Sequence, residues 1–248
     1  MIILTSLLDT YTKDNNGKRI SKPFGNENEI LDTIKLNVKK FDNFLFVNDD
    51  SVGVEQSDEY ARLVVESFKK TLPFKNYYVL NNRTSNNAKA MVESADFIYI
   101  GGGHLPSQNE FFTSINLKQI LKKSSAVICG GSAGSMNLAD MVYCPPEVEG
   151  ESLNPNFKRF FKGLGKTNVN ILPHYDAFLN YALDGKDYIS EIIVPDSYNV
   201  KIYAICDGSY IVKKQNEIML YGEGYLISNG TITRLCEKNK KVLLKEIY

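Results

Sequence analysis

Histidine is scarce in this 248-residue chain, which has only His104 and His174. A histidine-based metal centre is therefore not expected. The four cysteines, Cys129, Cys144, Cys206 and Cys236, lie too far apart for a CxxC pair or a zinc-ligand cluster. Net charge is absent as well, since 29 Lys and Arg offset 29 Asp and Glu. No global field then favours nucleic acid or an anionic membrane surface. No apolar run approaches the roughly 20 residues that span a bilayer. Met1 to Leu8 is apolar but short, lacks a basic start and runs into DTYTKDNNGKR. It reads as a buried first strand rather than a signal peptide. Together these absences predict a reduced, cytoplasmic protein with no metal or organic cofactor and no nucleic-acid or membrane partner. They leave self-association into a homo-oligomer open.

What the chain does have is alternation. IILTSLL (2–8), FLFVN (44–48), YYVL (77–80), FIYI (97–100) and AVIC (126–129) read as strands. Between them fall helical stretches at 26–40, 57–71, 85–93 and 107–122. The first turns Ile30, Leu31, Ile34 and Val38 to one face. The second starts from Ser57 as N-cap, faces Tyr60, Ala61, Val64, Val65 and Phe68 inward, and stops before Pro73. Repeated strand–helix units predict an α/β fold, a mostly parallel sheet with helices on both faces. FIYI and AVIC are apolar without alternation, as in strands buried on both sides. The last third changes character: KIYAIC, SYIVKK, EIMLYG, YLISNGTITRL and KVLLKEI are short and punctuated by Asp-Gly and Asn-Gly, which are hairpin signals. They are expected to extend the same sheet in antiparallel fashion, making residues 1–248 one domain.

Gly130-Gly131-Ser132-Ala133-Gly134 fits G-x-S-x-G, with the buried strand AVIC before it and a helix expected over 133–140. That is the context of a nucleophile elbow, whose strained turn tolerates only tiny neighbours. The competing reading is a glycine-rich turn with an incidental serine, which also occurs in nucleotide-binding folds. A serine hydroxyl needs a base to take its proton. His174 in NVNILPHYD and His104 after Gly101-Gly102-Gly103 both follow apolar runs, so both fall at the sheet edge where α/β sites form. The glycine loop and Ala133 supply candidate oxyanion donors, Ala133 giving one N–H and Gly102 or Gly103 the other. GGGHLPSQ lacks the G-x-G-x-x-G spacing and the lysine of a phosphate loop. For the carboxylate that orients the imidazole, Asp207 in YAICDGSY ends a strand, Asp176 lies two residues from His174, and Glu147 sits in the loop after the elbow helix.

FIYIGGG, AVICGGSAGSM, LPHYD, AICDGSYI and the closing hairpins occur in an order that resembles the S51 peptidase family, the aspartyl dipeptidase (peptidase E) and cyanophycinase group. The resemblance implies a flavodoxin-like fold related to class I glutamine amidotransferases, with serine in place of their cysteine. It implies Ser132 as nucleophile, His174 as base, Gly102, Gly103 and Ala133 at the oxyanion hole, and Asp207 or Glu147 as the third catalytic residue. The order Ser, His, Asp differs from the Ser, Asp, His of α/β-hydrolases. Two departures stand out. His104 replaces the family's usual small polar residue after the glycines, and NYALDGKDYISEI lacks the arginines found after the catalytic histidine of aspartyl dipeptidases. Lys186 cannot reproduce a bidentate arginine clamp, so His104 and Lys186 are the candidate substrate contacts. The expected activity is that of a serine dipeptidase or exopeptidase on short peptides. A non-catalytic binding protein of the same fold and a small acyl esterase are the alternatives.

Overall fold

The computed structural model describes residues 1–244. The chain opens with β1 (Ile2–Thr5), then a small hairpin of β2 (Tyr11–Lys13) and β3 (Arg19–Ser21). There follow α1 (Ile30–Asn37), β4 (Asn43–Val47), α2 (Val54–Thr71), β5 (Asn76–Leu80), α3 (Ala88–Ser94) and β6 (Phe97–Ile100). Next come α4 (Leu105–Ser114), α5 (Leu117–Leu121), β7 (Val127–Gly131) and α6 (Ala133–Asn137). The connecting region holds β8 (Met141–Tyr143), β9 (Phe160–Lys162), β10 (Asn170–Leu172), α7 (Tyr175–Phe178), β11 (Ala182–Leu183) and β12 (Lys186–Asp187). After α8 (Val194–Asp196), the chain finishes with β13 (Ile202–Ile205), β14 (Tyr210–Lys214), β15 (Glu217–Tyr221), β16 (Gly224–Ser228), β17 (Thr231–Cys236) and β18 (Lys241–Leu244).

The central sheet has eight strands in the order β18-β15-β14-β1-β7-β6-β4-β5. From β1 to β5 all pairings are parallel, and β14, β15 and β18 extend the sheet antiparallel. The parallel strands are apolar on both sides because both sides are covered. On β4 and β6, Phe44, Phe46, Phe97 and Tyr99 pack toward α1 and α2, while Leu45, Val47, Ile98 and Ile100 face α3, α4 and α5. Phe68 of α2 meets Phe44 and Tyr99 with ring centroids 4.4 and 5.3 Å apart. Full burial of one such ring contributes about 1.5–3 kcal/mol.

The C-terminal hairpins do not all join that sheet. β13, β16 and β17 pair with β10 in a second, four-stranded sheet ordered β10-β13-β16-β17, in which β10 and β13 run parallel. Alternating hairpin patterns identify strands but not which sheet each one joins, and this is where the single-extension expectation fails. Helix boundaries also shift. Ser57 does not cap α2: the helix starts after Gly53, and the buried Ser57 hydroxyl donates to the Asp49 carbonyl at 3.0 Å. The expected 107–122 helix breaks at Asn116, whose backbone is left-handed (φ 54°), a conformation Asn tolerates. The 26–40 stretch shortens to a 3-10 turn and α1, and the elbow helix ends at Asn137. KVLLKEI is a strand as far as Leu244, and its last residues lie outside the described part.

Candidate active site

β7 runs fully buried to Gly131, and the backbone at Ser132 then turns with φ 50° and ψ −121°. Such a conformation costs an ordinary residue about 1–3 kcal/mol and persists only where the surroundings impose it. Here the Ser132 N–H donates to the carbonyls of Thr5 (3.1 Å) and Ser6 (3.0 Å). Ser135 Oγ donates to the Thr5 carbonyl (2.9 Å), and Thr5 Oγ1 to that of Gly130 (2.8 Å). The motif's glycines are required by close approach. A Cβ on Gly130 would lie 2.5 Å from Ser135 N, and one on Gly134 would lie 2.3 Å from the Ile100 carbonyl oxygen. The N–H of Ala133, first residue of α6, has no acceptor among the described residues.

His174 follows β10 in a left-handed backbone conformation (φ 58°, ψ 31°). Its Nε2 lies 3.0 Å from Ser132 Oγ and its Nδ1 lies 2.7 Å from Asp207 Oδ1. A carboxylate can only accept, so Nδ1 carries the proton and Nε2 is left to accept from the serine hydroxyl. Asp207 follows β13, the parallel neighbour of β10, which brings both residues to one edge. Burial opposes ionisation of Asp207, but hydrogen bonds from His174 and Ser6 outweigh it and hold its carboxyl below the usual range.

The three carboxylate candidates thus separate. Asp207 meets the imidazole, whereas Asp176 Oδ1 accepts the Asp207 N–H at 3.0 Å and braces the relay from behind. Glu147 makes no hydrogen bond through its carboxylate among the described residues, and its backbone N–H donates to Glu151 at 2.8 Å. It stands on the β8–β9 loop near His104 and His174, open to solvent yet walled by protein. That enclosure holds its carboxyl above the usual range, with Glu151 adding to the rise and the two histidines offsetting only part of it. Lys186 Nζ points to the Ser152 carbonyl (3.5 Å), on the hairpin where Asp184 grips the loop through Gly150 N–H and the Ser152 N–H and hydroxyl. His104 occupies the N-cap position of α4 without a side-chain capping bond, and its Nδ1 lies 2.7 Å from Ser107 Oγ.

The glycine loop lies beside the serine, and a Cβ on Gly102 would sit 3.4 Å from that of Ser132. The Gly102 N–H, however, donates to the Tyr60 hydroxyl (3.1 Å), while that of Gly103 has no acceptor among the described residues. Burial pushes the Tyr60 phenol up to about 12, so it stays protonated. Gln108, wholly buried, donates to the Gly101 carbonyl (2.9 Å) and accepts from Asn137 (3.0 Å).

Sequence reasoning missed these supports, and above all Ser6. Its buried hydroxyl accepts the His174 N–H (2.8 Å) and donates to Asp207 Oδ1 (2.6 Å). Ser6 follows β1, next to the strand carrying the elbow, and that edge position was the available signal. Cys206, beside Asp207, is no rival nucleophile: burial, with Asp176 and Glu223 nearby, pushes its thiol up to about 12.

A serine at a strained strand–helix turn, bonded to a histidine that is bonded in turn to a carboxylate, is the arrangement of serine hydrolases. The chain belongs to peptidase family S51, whose sequence profile matches residues 21–221, and it is a serine-type peptidase. The fold is shared with a peptidase from an acI-B1 Actinobacterium (TM-score 0.64, 16% identity, 88% of this chain and 89% of that one). It is also shared with a protein from Listeria monocytogenes EGD-e described provisionally as peptidase E (TM-score 0.55, 14% identity, 95% of this chain and 98% of that one). No curated protein sequence matches. No helix among the described residues is long and apolar enough to cross a membrane, and these residues include no cluster suited to a metal ion.

Proposed function

We propose that this peptidase hydrolyses short peptides, as a dipeptidase or exopeptidase, with Ser132, His174 and Asp207 as its triad. The observation that carries the reading is the continuous pair of hydrogen bonds, 3.0 and 2.7 Å, from Ser132 Oγ through His174 to Asp207. In the first step His174 Nε2 takes the Ser132 proton as Oγ attacks the scissile carbonyl. The oxyanion accepts from the N–H groups of Ala133 and Gly103, the loop donor that Tyr60 does not occupy. His174 then gives its proton to the departing amine, and water hydrolyses the acyl-enzyme by the reverse transfers. Asp207 holds the tautomer and offsets the imidazolium charge. Asp184 clamps the loop carrying Glu147 through Gly150 and Ser152, and on this reading that loop favours short chains over folded protein. Four free thiols fit a reducing, cytoplasmic setting.

Labelling with a fluorophosphonate tests the nucleophile directly. Wild type should be labelled and Ser132→Ala should not, and equal labelling of the two removes Ser132 from the role. Turnover of a dipeptide library by wild type and not by Ser132→Ala then separates peptidase from esterase.

A further inference from the structure

The strand next to the glycine loop ends in an unusual pair. Asp49, one residue beyond Asn48 at the end of β4, is only 7% exposed, and Asn48 is 2% exposed. Asp49 Oδ2 and Asn48 Oδ1 are buried with no hydrogen-bond partner among the described residues. The nearby cation is committed elsewhere, since Arg83 pairs with Asp50 and Asp58. The Asp49 backbone is pinned, its carbonyl accepting from Ser57 Oγ (3.0 Å) and Asn48 Nδ2 (3.4 Å). A buried carboxylate oxygen without a partner is disfavoured, and Asp49 Oδ2 would be satisfied by a group rich in N–H donors and positively charged.

The position says which part of a substrate would bring that charge. Asp49 Oδ1 lies beside the glycine loop, 3.4 Å from where a Gly103 Cβ would be. His174, which protonates the leaving amine, lies on the β1 side of Ser132, and β6 and β4 lie on the other. The acyl half of the substrate is assigned on this reading to that other side, past the glycines toward β4. The ends of β7 and β4 are two strand spacings apart, roughly 10 Å. That distance suits the side chain of the acyl residue, or an amino terminus one residue further back.

We propose that Asp49, with the Asn48 side-chain oxygen, is the acyl-side specificity site, binding the ammonium or guanidinium group of a cationic short peptide. The assignment rests on the peptidase reading above and deepens it. The test uses the full chain and two matched pairs. Lysyl-alanine against norleucyl-alanine probes the side chain, and alanyl-norleucyl-alanine against its N-acetyl form probes the amino terminus. In wild type the charged member of one pair should have a kcat/KM at least tenfold higher, expressed mainly in KM, and that pair names the source of the charge. In Asp49→Asn the preference should fall to threefold or less. Cleavage of these peptides by wild type with no preference in either pair overturns the proposal without any variant, as does a preference that survives in Asp49→Asn. Calorimetry on Ser132→Ala, with and without Asp49→Asn, reads binding apart from turnover. Asp49-dependent binding of a charged peptide that wild type does not cleave upholds this site and counts against the peptidase reading. Cleavage with no dependence on Asp49 overturns the site alone. A Tm rise with Mg²⁺ or Ca²⁺ that requires Asp49, without discrimination between paired peptides, makes it a divalent-cation site and overturns the ammonium assignment.

Discussion

Ser132 is held by atoms of the central sheet: the carbonyls after β1, the close approach of Gly134 to β6, and the short turn into α6. His174 and Asp207 instead stand at the ends of β10 and β13, strands of the second sheet. The first arrangement is a motif of five consecutive residues seated against β1 and β6, and the second depends on pairing between strands about thirty positions apart. A site divided in this way has one half that tolerates almost no local change and another that depends on how two sheets meet.

The sharpest test of the comparison is whether the halves matter equally to chemistry. Ser132→Ala should cost about 10⁴-fold or more in kcat, and Asp207→Asn about 10⁴-fold with KM little changed. Steady-state kinetics showing less than a tenfold loss for Asp207→Asn would demote the second-sheet half to a structural role. Gly134→Ala should break the elbow half by sterics alone. Its Cβ would press on the Ile100 carbonyl, and overpacking of this kind costs about 1–3 kcal/mol, which calorimetry would read as a Tm drop of several degrees. Ser6→Ala should loosen the join, lowering kcat by about 10–100-fold through a charge-assisted hydrogen bond of about 1.5–3 kcal/mol, with KM nearly constant. An unchanged kcat would remove Ser6 from the relay's support.

Glu147→Gln should have the smallest effect, within about threefold in kcat. It also gives a sign to check against Asp207. The folded-state pKa of Glu147 is raised, so wild type should gain stability relative to the Gln variant as pH falls through that value toward the ordinary glutamate range. The Asp207 pKa is depressed, so its contribution is present above the ordinary aspartate value and lost as pH falls through the folded one. Chemical denaturation of both variants across pH 3–7 should therefore give curves that diverge from wild type in opposite directions.

The elbow could be read from residues alone because its signature, a serine among tiny residues after a buried strand, falls within one short stretch. The parallel half of the sheet was legible for a similar reason: FIYI and FLFVN are buried on both faces, and their composition says so. His174 and Asp207 could be placed at a sheet edge, but not on which sheet, because KIYAIC and SYIVKK look alike while pairing with different neighbours. Glu147 stood as the alternative to Asp207, and Lys186 as a substrate contact, because distance across the site is not written in spacing. Ser6 was hidden in a stretch that reads only as the end of a strand. Tyr60 was seen as a core residue, which its ring is, while its hydroxyl does something further for Gly102.

Ser6 belongs by chain to the central sheet and by hydrogen bonding to the His174 backbone and the Asp207 carboxylate. Any tilt of the smaller sheet against the larger one must first stretch those two bonds, at the moment it lengthens the 3.0 Å approach of His174 to Ser132. Turnover would then report the fit of the two sheets well before either one melts. Heating should silence the enzyme at temperatures where its circular dichroism is still that of the folded chain.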